Sequence, residues 1–295
     1  MAEVTDSPEN SSKAPSGNRW NLRNAPGIQE LMVGEPNPNS KVNDAKVRRL
    51  YLQATSQQWF GPDRINFDAP INLTLEERES WTKISQVFFT LEKMGLNVIN
   101  LMTTHAVRHI QSNEVAYYLA VQAADEARHV FLLESYLKKL GVAPKYDKKL
   151  HVLGQAASLG LYRVENWLFS TLFSENFASS YLRRARNLTN DEIGSSIYKN
   201  LQMDESRHIH FLHIVLPDLY DRMSFFAKHY VRFSQGFIMK FSEVVSRALD
   251  SHTTQLGIDR RALIEEVFEN VERAYAGFGV NPRFLPFPKI SSTPN

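Results

Sequence analysis

The string Asp-Glu-x-Arg-His occurs twice, at Asp125–His129 ("DEARH") and at Asp204–His208 ("DESRH"), each time inside an otherwise apolar helical pattern. Glu126 and His129 stand three apart and so share one helix face, as do Glu205 and His208. Their neighbours on those faces are apolar or amide: Leu119, Gln122 and Leu133 in one segment, Leu201, Gln202 and Leu212 in the other. Burying a carboxylate and an imidazole without partners is costly, and grouping them around a cation removes much of the cost. At average composition such a string is expected in only about one chain in a thousand, so its recurrence points to a shared role. Carboxylate oxygen and imidazole nitrogen without sulfur suit iron or manganese.

The flanking residues then acquire work. A ligating histidine needs its second ring nitrogen held, usually by a carboxylate. Asp125 and Asp204 precede the two glutamates and point toward the neighbouring helix, so each is placed to hold the histidine of the other motif. Arg128 and Arg207 are placed to neutralise those aspartates.

A pair of metals needs more oxygen donors than two motifs provide: one glutamate from each of two further helices. Glu92, in "FFTLEKMGLNV", is the acid of the central apolar stretch in the first long helix. The third offers Glu165 and Glu175. Glu205 lies about fourteen residues past the turn at "NLTND" and Glu175 about a dozen before it, which matches their depths at 1.5 Å per residue. Glu165 would sit on the order of 15 Å too deep, so Glu175 is the expected ligand.

These positions require long helices. Thr74 followed by Glu77 is a capping box, and helical periodicity continues to about Ile110. A second helix is expected from about Glu114 to Leu140, closed by Gly141. A third spans roughly Val152–Arg186, and a fourth Asp191–Val215, ended before Pro217. Two more follow, about Leu219–Leu249 and Arg260–Ala276. No useful strand-like alternation appears, so the expected class is all-α, an antiparallel four-helix bundle with additional C-terminal helices. Residues 1–25 read as a disordered tail, 26–73 as an arm with a short helix at Asn43–Thr55, 74–278 as the helical domain and 279–295 as a proline-rich tail.

Composition narrows the function. Lys and Arg total 34 against 32 acids in 295 residues, and no zinc-finger or glycine-rich motif supports a nucleic-acid partner. Cysteine is absent, which removes thiolate ligands and nucleophiles and leaves a cytoplasmic location as the expectation. No apolar run approaches a membrane span.

With Glu92 and Glu175, the two motifs resemble the carboxylate-bridged di-iron proteins of the ferritin-like superfamily. The doubled string is similar to the hydroxylase subunits of bacterial multicomponent monooxygenases. "ENFAS" resembles their third-helix motif, in which a hydroxyl residue follows the ligand by one turn; Ser179 holds that place. "LYLQATSQQWFGPDRINF" looks more like ribonucleotide reductase small subunits and their ligand-binding oxidase relatives. The resemblance implies a ferritin-like bundle with a di-metal core: two iron ions, or manganese with iron, held by Glu92, Glu126, His129, Glu175, Glu205 and His208. It implies dioxygen as co-substrate, a small-molecule substrate, electrons from a ferredoxin or reductase, and a homodimer. Departures bear on the chemistry. The radical-tyrosine position of the reductase subunits is Leu133 here, and the valine and tyrosine cross-linked in the ligand-binding oxidases are Gly95 and Ser170. The expected activity is therefore a di-iron oxygenase; a radical-generating or ligand-binding oxidase is the alternative, and an iron-storing ferroxidase ranks last.

Overall fold

Thr74 begins the bundle because its side chain accepts from the Glu77 backbone N–H while Glu77 reaches back to the Thr74 N–H, a capping box made in full. The computed structural model describes residues 38–152 and 164–279, and within them the side chains of 164–166 and 232–240 lie outside the description. The helices are α1 (Asp44–Ser56), α2 (Gly61–Arg64), α3 (Leu75–His109), α4 (Asn113–Lys139), α5 (Val164–Leu188), α6 (Glu192–Asp221), α7 (Phe225–Ala248), α8 (Asp250–Gln255) and α9 (Arg260–Gly277). No strand occurs among the described residues.

Helix α3 pairs with α4 and α5 with α6, making two hairpins that join through α4–α6 and α3–α5 contacts. Each start is capped by a side chain: Ser112 for α4, Asp191 for α6, Ser224 for α7 and Asp259 for α9. Gly141 ends the α4 hairpin arm at φ +79°, a left-handed conformation that glycine adopts freely. Between the helices lie fully buried aromatics, Trp81, Phe169, Phe173, Tyr198 and Phe211 among them.

Several boundaries differ from those read in the sequence. Pro217 does not end α6, which continues to Asp221. One lost N–H is tolerated because Leu216 and Leu219 stay buried beside it and Asp218 accepts the Asn43 N–H. The residues from Leu219 therefore finish α6, and the Ser224 cap splits off α7, so the expected Leu219–Leu249 helix is two pieces. The described part of the third bundle helix starts at Val164; residues 153–163, the tails at 1–37 and 280–295, and the side chain of Glu165 lie outside the description. Helix α1 is also more than a surface arm. It packs against α4 and α6 with Val47, Leu50 and Ala54 buried.

Candidate metal centre

The aspartates set the orientation of the site. Asp204 Oδ2 lies 3.2 Å from His129 Nε2, and Asp125 Oδ2 lies 3.2 Å from His208 Nε2. Each bond crosses from one motif helix to the other. With Nε2–H donated to an aspartate, each imidazole turns its Nδ1 inward.

Around the two Nδ1 atoms the glutamates form two cups. His129 Nδ1 lies 3.3 Å from Glu92, 3.4 Å from Glu205 Oε1 and 3.9 Å from Glu126 Oε2. His208 Nδ1 lies 3.4 Å from Glu175, 3.2 Å from Glu205 Oε2 and 3.7 Å from Glu126 Oε1. Glu126 and Glu205 thus turn one oxygen to each histidine, while Glu92 and Glu175 each belong to one side. Donor atoms of Glu92, His129 and Glu205 lie within 4.8 Å of one another, as do those of Glu126, Glu175 and His208. All six side chains named from the sequence meet here, and all six are buried.

So many acids in one dry place hold protons. Burial and the charges of Glu92 and Glu205 push Glu126 well above the usual carboxylate range. Burial and Glu175 do the same to Glu205. Burial opposes charge on both imidazoles, yet hydrogen bonds with Asp204 and Glu92 raise His129, and Glu175 with Asp125 raises His208. Burial also works against ionised Glu92, but His129 outweighs it and holds Glu92 below its ordinary value. A cluster that must share protons when empty suits multivalent cations, which replace those protons and satisfy the carboxylates together.

Behind the histidines, Asp125 and Asp204 form a square with Arg128 and Arg207. Arg128 reaches Asp125 at 2.5 Å and Asp204 at 2.7 Å; Arg207 reaches them at 2.7 and 2.8 Å. Burial works against both aspartates, but the histidines and arginines hold them below the usual carboxylate range. The chain preceding the bundle closes this square. Gln58 donates to Asp125 at 2.7 Å and accepts from Arg128, while Trp59 Nε1 donates to Asp204 at 3.1 Å under the Arg128 guanidinium. Gln58 and Trp59 lie in the stretch "LYLQATSQQWFGPDRINF", whose resemblance to reductase small subunits assigned neither a role, and their partners lie more than sixty residues away.

On the opposite side of the cups lies a cavity of about 180 Å³ whose floor includes Glu92, Glu126, Glu175 and Glu205. Its walls are mostly apolar, with Phe88, Trp167, Phe177 and Phe241 prominent, and Ser170, Thr171, Ser174 and Ser242 add hydroxyls. Gly95 also lines it, and a Cβ there would stand 3.3 Å from Glu126 Oε2. Its lack of a side chain keeps the Glu126 carboxylate open to the cavity. Ser179 is half-buried and is not among the lining residues; the hydroxyls beside Glu175 come from the preceding turn, at Thr171 and Ser174. Helix α7, which sequence reasoning left without a role, supplies Phe241, Ser242 and Val245.

A family model described as p-aminobenzoate N-oxygenase AurF matches residues 74–274. Among solved structures, a protein from Synechococcus described as having aldehyde deformylating oxidase activity is 18% identical over 72% of this chain and 96% of its own, with a TM-score of 0.61. Two single-residue variants of an R2-like ligand-binding oxidase each align over 86% of this chain and 98% of their own. One, with a manganese–iron cofactor, is 16% identical at TM-score 0.63. The other, with a di-iron cofactor, is 17% identical at TM-score 0.63. At these identities the likeness establishes the ferritin-like fold. No curated protein matches the sequence.

Proposed function

Because the chain belongs to the p-aminobenzoate N-oxygenase AurF family, we propose that it is a di-iron oxygenase that hydroxylates or N-oxygenates a small organic substrate. Glu92, Glu126 and His129 with Glu175, Glu205 and His208 hold the two metals in this reading, with manganese–iron as the other pair the donors accept. The observation that carries it is the facing pair of histidine Nδ1 atoms around Glu126 and Glu205, set against an apolar cavity. When bound, the metals supply reductive activation of dioxygen.

The protein's part is orientation and exclusion of water. Asp125 and Asp204 hold the imidazole protons away from the metals. The cavity, at about 180 Å³, is large enough for a small ring, since about 150 Å³ of apolar space accepts benzene. Thr171 donates its hydroxyl proton to the Trp167 carbonyl and Ser174 to that of Thr171, which leaves their oxygens as acceptors. Such a lining favours a substrate bearing N–H or O–H donors, an amine included. Ser179 is proposed to assist proton delivery from one turn beyond Glu175.

The proposed organisation is an arm (26–73) and a bundle (74–278) flanked by tails at 1–25 and 279–295. Cytoplasmic location, a homodimer and an electron-donating ferredoxin or reductase belong to the same proposal. No helix among the described residues is long and apolar enough to cross a membrane.

The direct test supplies iron-loaded protein with a chemical reductant, labelled dioxygen and a panel of aromatic amines and neutral aromatics. Label in an N-oxygenated or hydroxylated product is expected. Iron oxidation with no substrate oxidation across the panel would favour the ferroxidase reading instead. The R2-like neighbours favour a second reading, a radical-generating or ligand-binding oxidase. Leu133, fully buried one turn after His129, discriminates. After the ferrous protein reacts with oxygen, electron paramagnetic resonance should find no long-lived tyrosyl radical; a persistent one would promote the second reading.

Metal uptake should depend on pH in a definite direction. Glu126, Glu205, His129 and His208 all have raised proton affinities, so the metal-free protein holds protons that the metals must displace. Uptake should release protons, and apparent affinity should rise with pH. Calorimetry in buffers of different ionisation heat measures the release. Proton-neutral uptake would contradict the cluster as described.

A further inference from the structure

The two halves of the centre differ in what holds the carboxylates that belong to one side, Glu92 and Glu175. Gln122 stands four residues before Glu126 on α4, and Leu201 stands four before Glu205 on α6. Both are buried. Gln122 Nε2 donates to Glu175 Oε1 at 3.0 Å, while Leu201 has no donor to offer. Glu92, among the described residues, is held by members of the cluster itself, His129 and Glu126.

We infer that Gln122 makes the two metal positions unequal, and that the position of His208 and Glu175 is the tighter and fills first; this rests on the di-metal reading above. The physical reason is preorganisation. One oxygen of Glu175 is tied to Gln122, so the other, Oε2, is already aimed toward His208 Nδ1 at 3.4 Å. A metal arriving there orders little that is not ordered already, and the amide donor leaves that carboxylate's other oxygen satisfied. Both carboxylates also contact cluster members that must rearrange around a metal, Glu175 with His208 and Glu205, and Glu92 with His129 and Glu126, but among the described residues only Glu175 has the additional donor Gln122. The arrangement of Glu92 is completed on binding rather than before it. Gln122 is in this sense a positioning residue, acting on a metal through Glu175.

The test is an anaerobic titration of the full-length metal-free protein with ferrous or manganous ion, followed by calorimetry and by anomalous scattering of crystals loaded with one equivalent. Wild-type protein should take up two ions in two resolved steps, with the half-loaded density beside His208. Gln122→Met keeps the side chain's length and removes the donor. It should weaken the first step by about 10–100-fold, the usual effect of losing a partner behind a ligand, and divide the half-loaded density between the two positions. Density beside His129 in the wild type would overturn the inference whether or not the variant folds. Two-step uptake indifferent to Gln122→Met would overturn it alone. A wild-type chain that bound no metal would overturn it together with the reading beneath it.

Discussion

Glu175→Ala should leave a folded chain that no longer holds a coupled metal pair and no longer consumes oxygen. Glu175 sits 3.4 Å from His208 Nδ1 on one side of the cluster, and no second carboxylate of α5 is placed to replace it among the described side chains. The loss should exceed the ~10–100-fold typical when a partner behind a ligand is removed, because a charged donor goes with it. Glu175→Gln should retain the contact with Gln122 and still fail, separating loss of charge from loss of packing. Glu165→Ala should keep both metals, since ten helical residues separate the two positions by roughly 15 Å along the axis. Ser179→Ala should keep both metals too, and slow or uncouple oxygen use if its hydroxyl passes protons. Metal content by elemental analysis and oxygen uptake by electrode decide the matter. An empty site in Glu165→Ala beside a full one in Glu175→Ala would mean the functional register differs by nearly three turns.

The second large effect concerns stability. Asp204→Ala removes the partner of His129, Arg128, Arg207 and Trp59 in one step. Asp204 is almost fully buried and the arginine side chains are 10% exposed, so stranded charges rather than lost surface pairs set the cost. Breaking such a buried pair from one side costs on the order of 3–5 kcal/mol. The denaturant midpoint of the metal-free variant should fall accordingly, and metal retention should drop by about 10–100-fold. An unchanged midpoint and unchanged metal content would remove the role assigned to the square. The pH dependence has a fixed sign. Asp125 and Asp204 have lowered proton affinities when folded, so their stabilisation is present above the unfolded carboxylate value of about 3.9. It is lost as pH falls through the lower folded values.

The legible part of the centre was the part written locally. Spacing of three within a helix brings Glu126 beside His129 and Glu205 beside His208 whatever else the chain does. Equal depth in an antiparallel hairpin pointed to Glu175, and the structure places that carboxylate beside His208. What escaped was written across long separations or in small conformational choices. Gln58 and Trp59 meet the aspartates after the docking of α1, and the resemblance of the stretch around them named no partner for either. Pro217 reads as a stop because it lacks an N–H, but burial of Leu216 and Leu219 keeps the helix going. The hydroxyls beside Glu175 come from Thr171 and Ser174 because helix rotation decides which turn faces inward, and a motif one turn long at Ser179 leaves that rotation open.

The closure of the Asp–Arg square by Gln58 and Trp59 has a consequence for how the chain holds itself together. The segment carrying them precedes the bundle, yet it grips the same aspartates that grip His129 and His208. Two events joined through shared partners must influence each other equally in both directions. Whatever factor a seated arm adds to metal affinity, a loaded metal pair returns to the seating of the arm. Loss of metal should then loosen the Gln58–Trp59 segment, and loosening of that segment should weaken metal binding by the same factor.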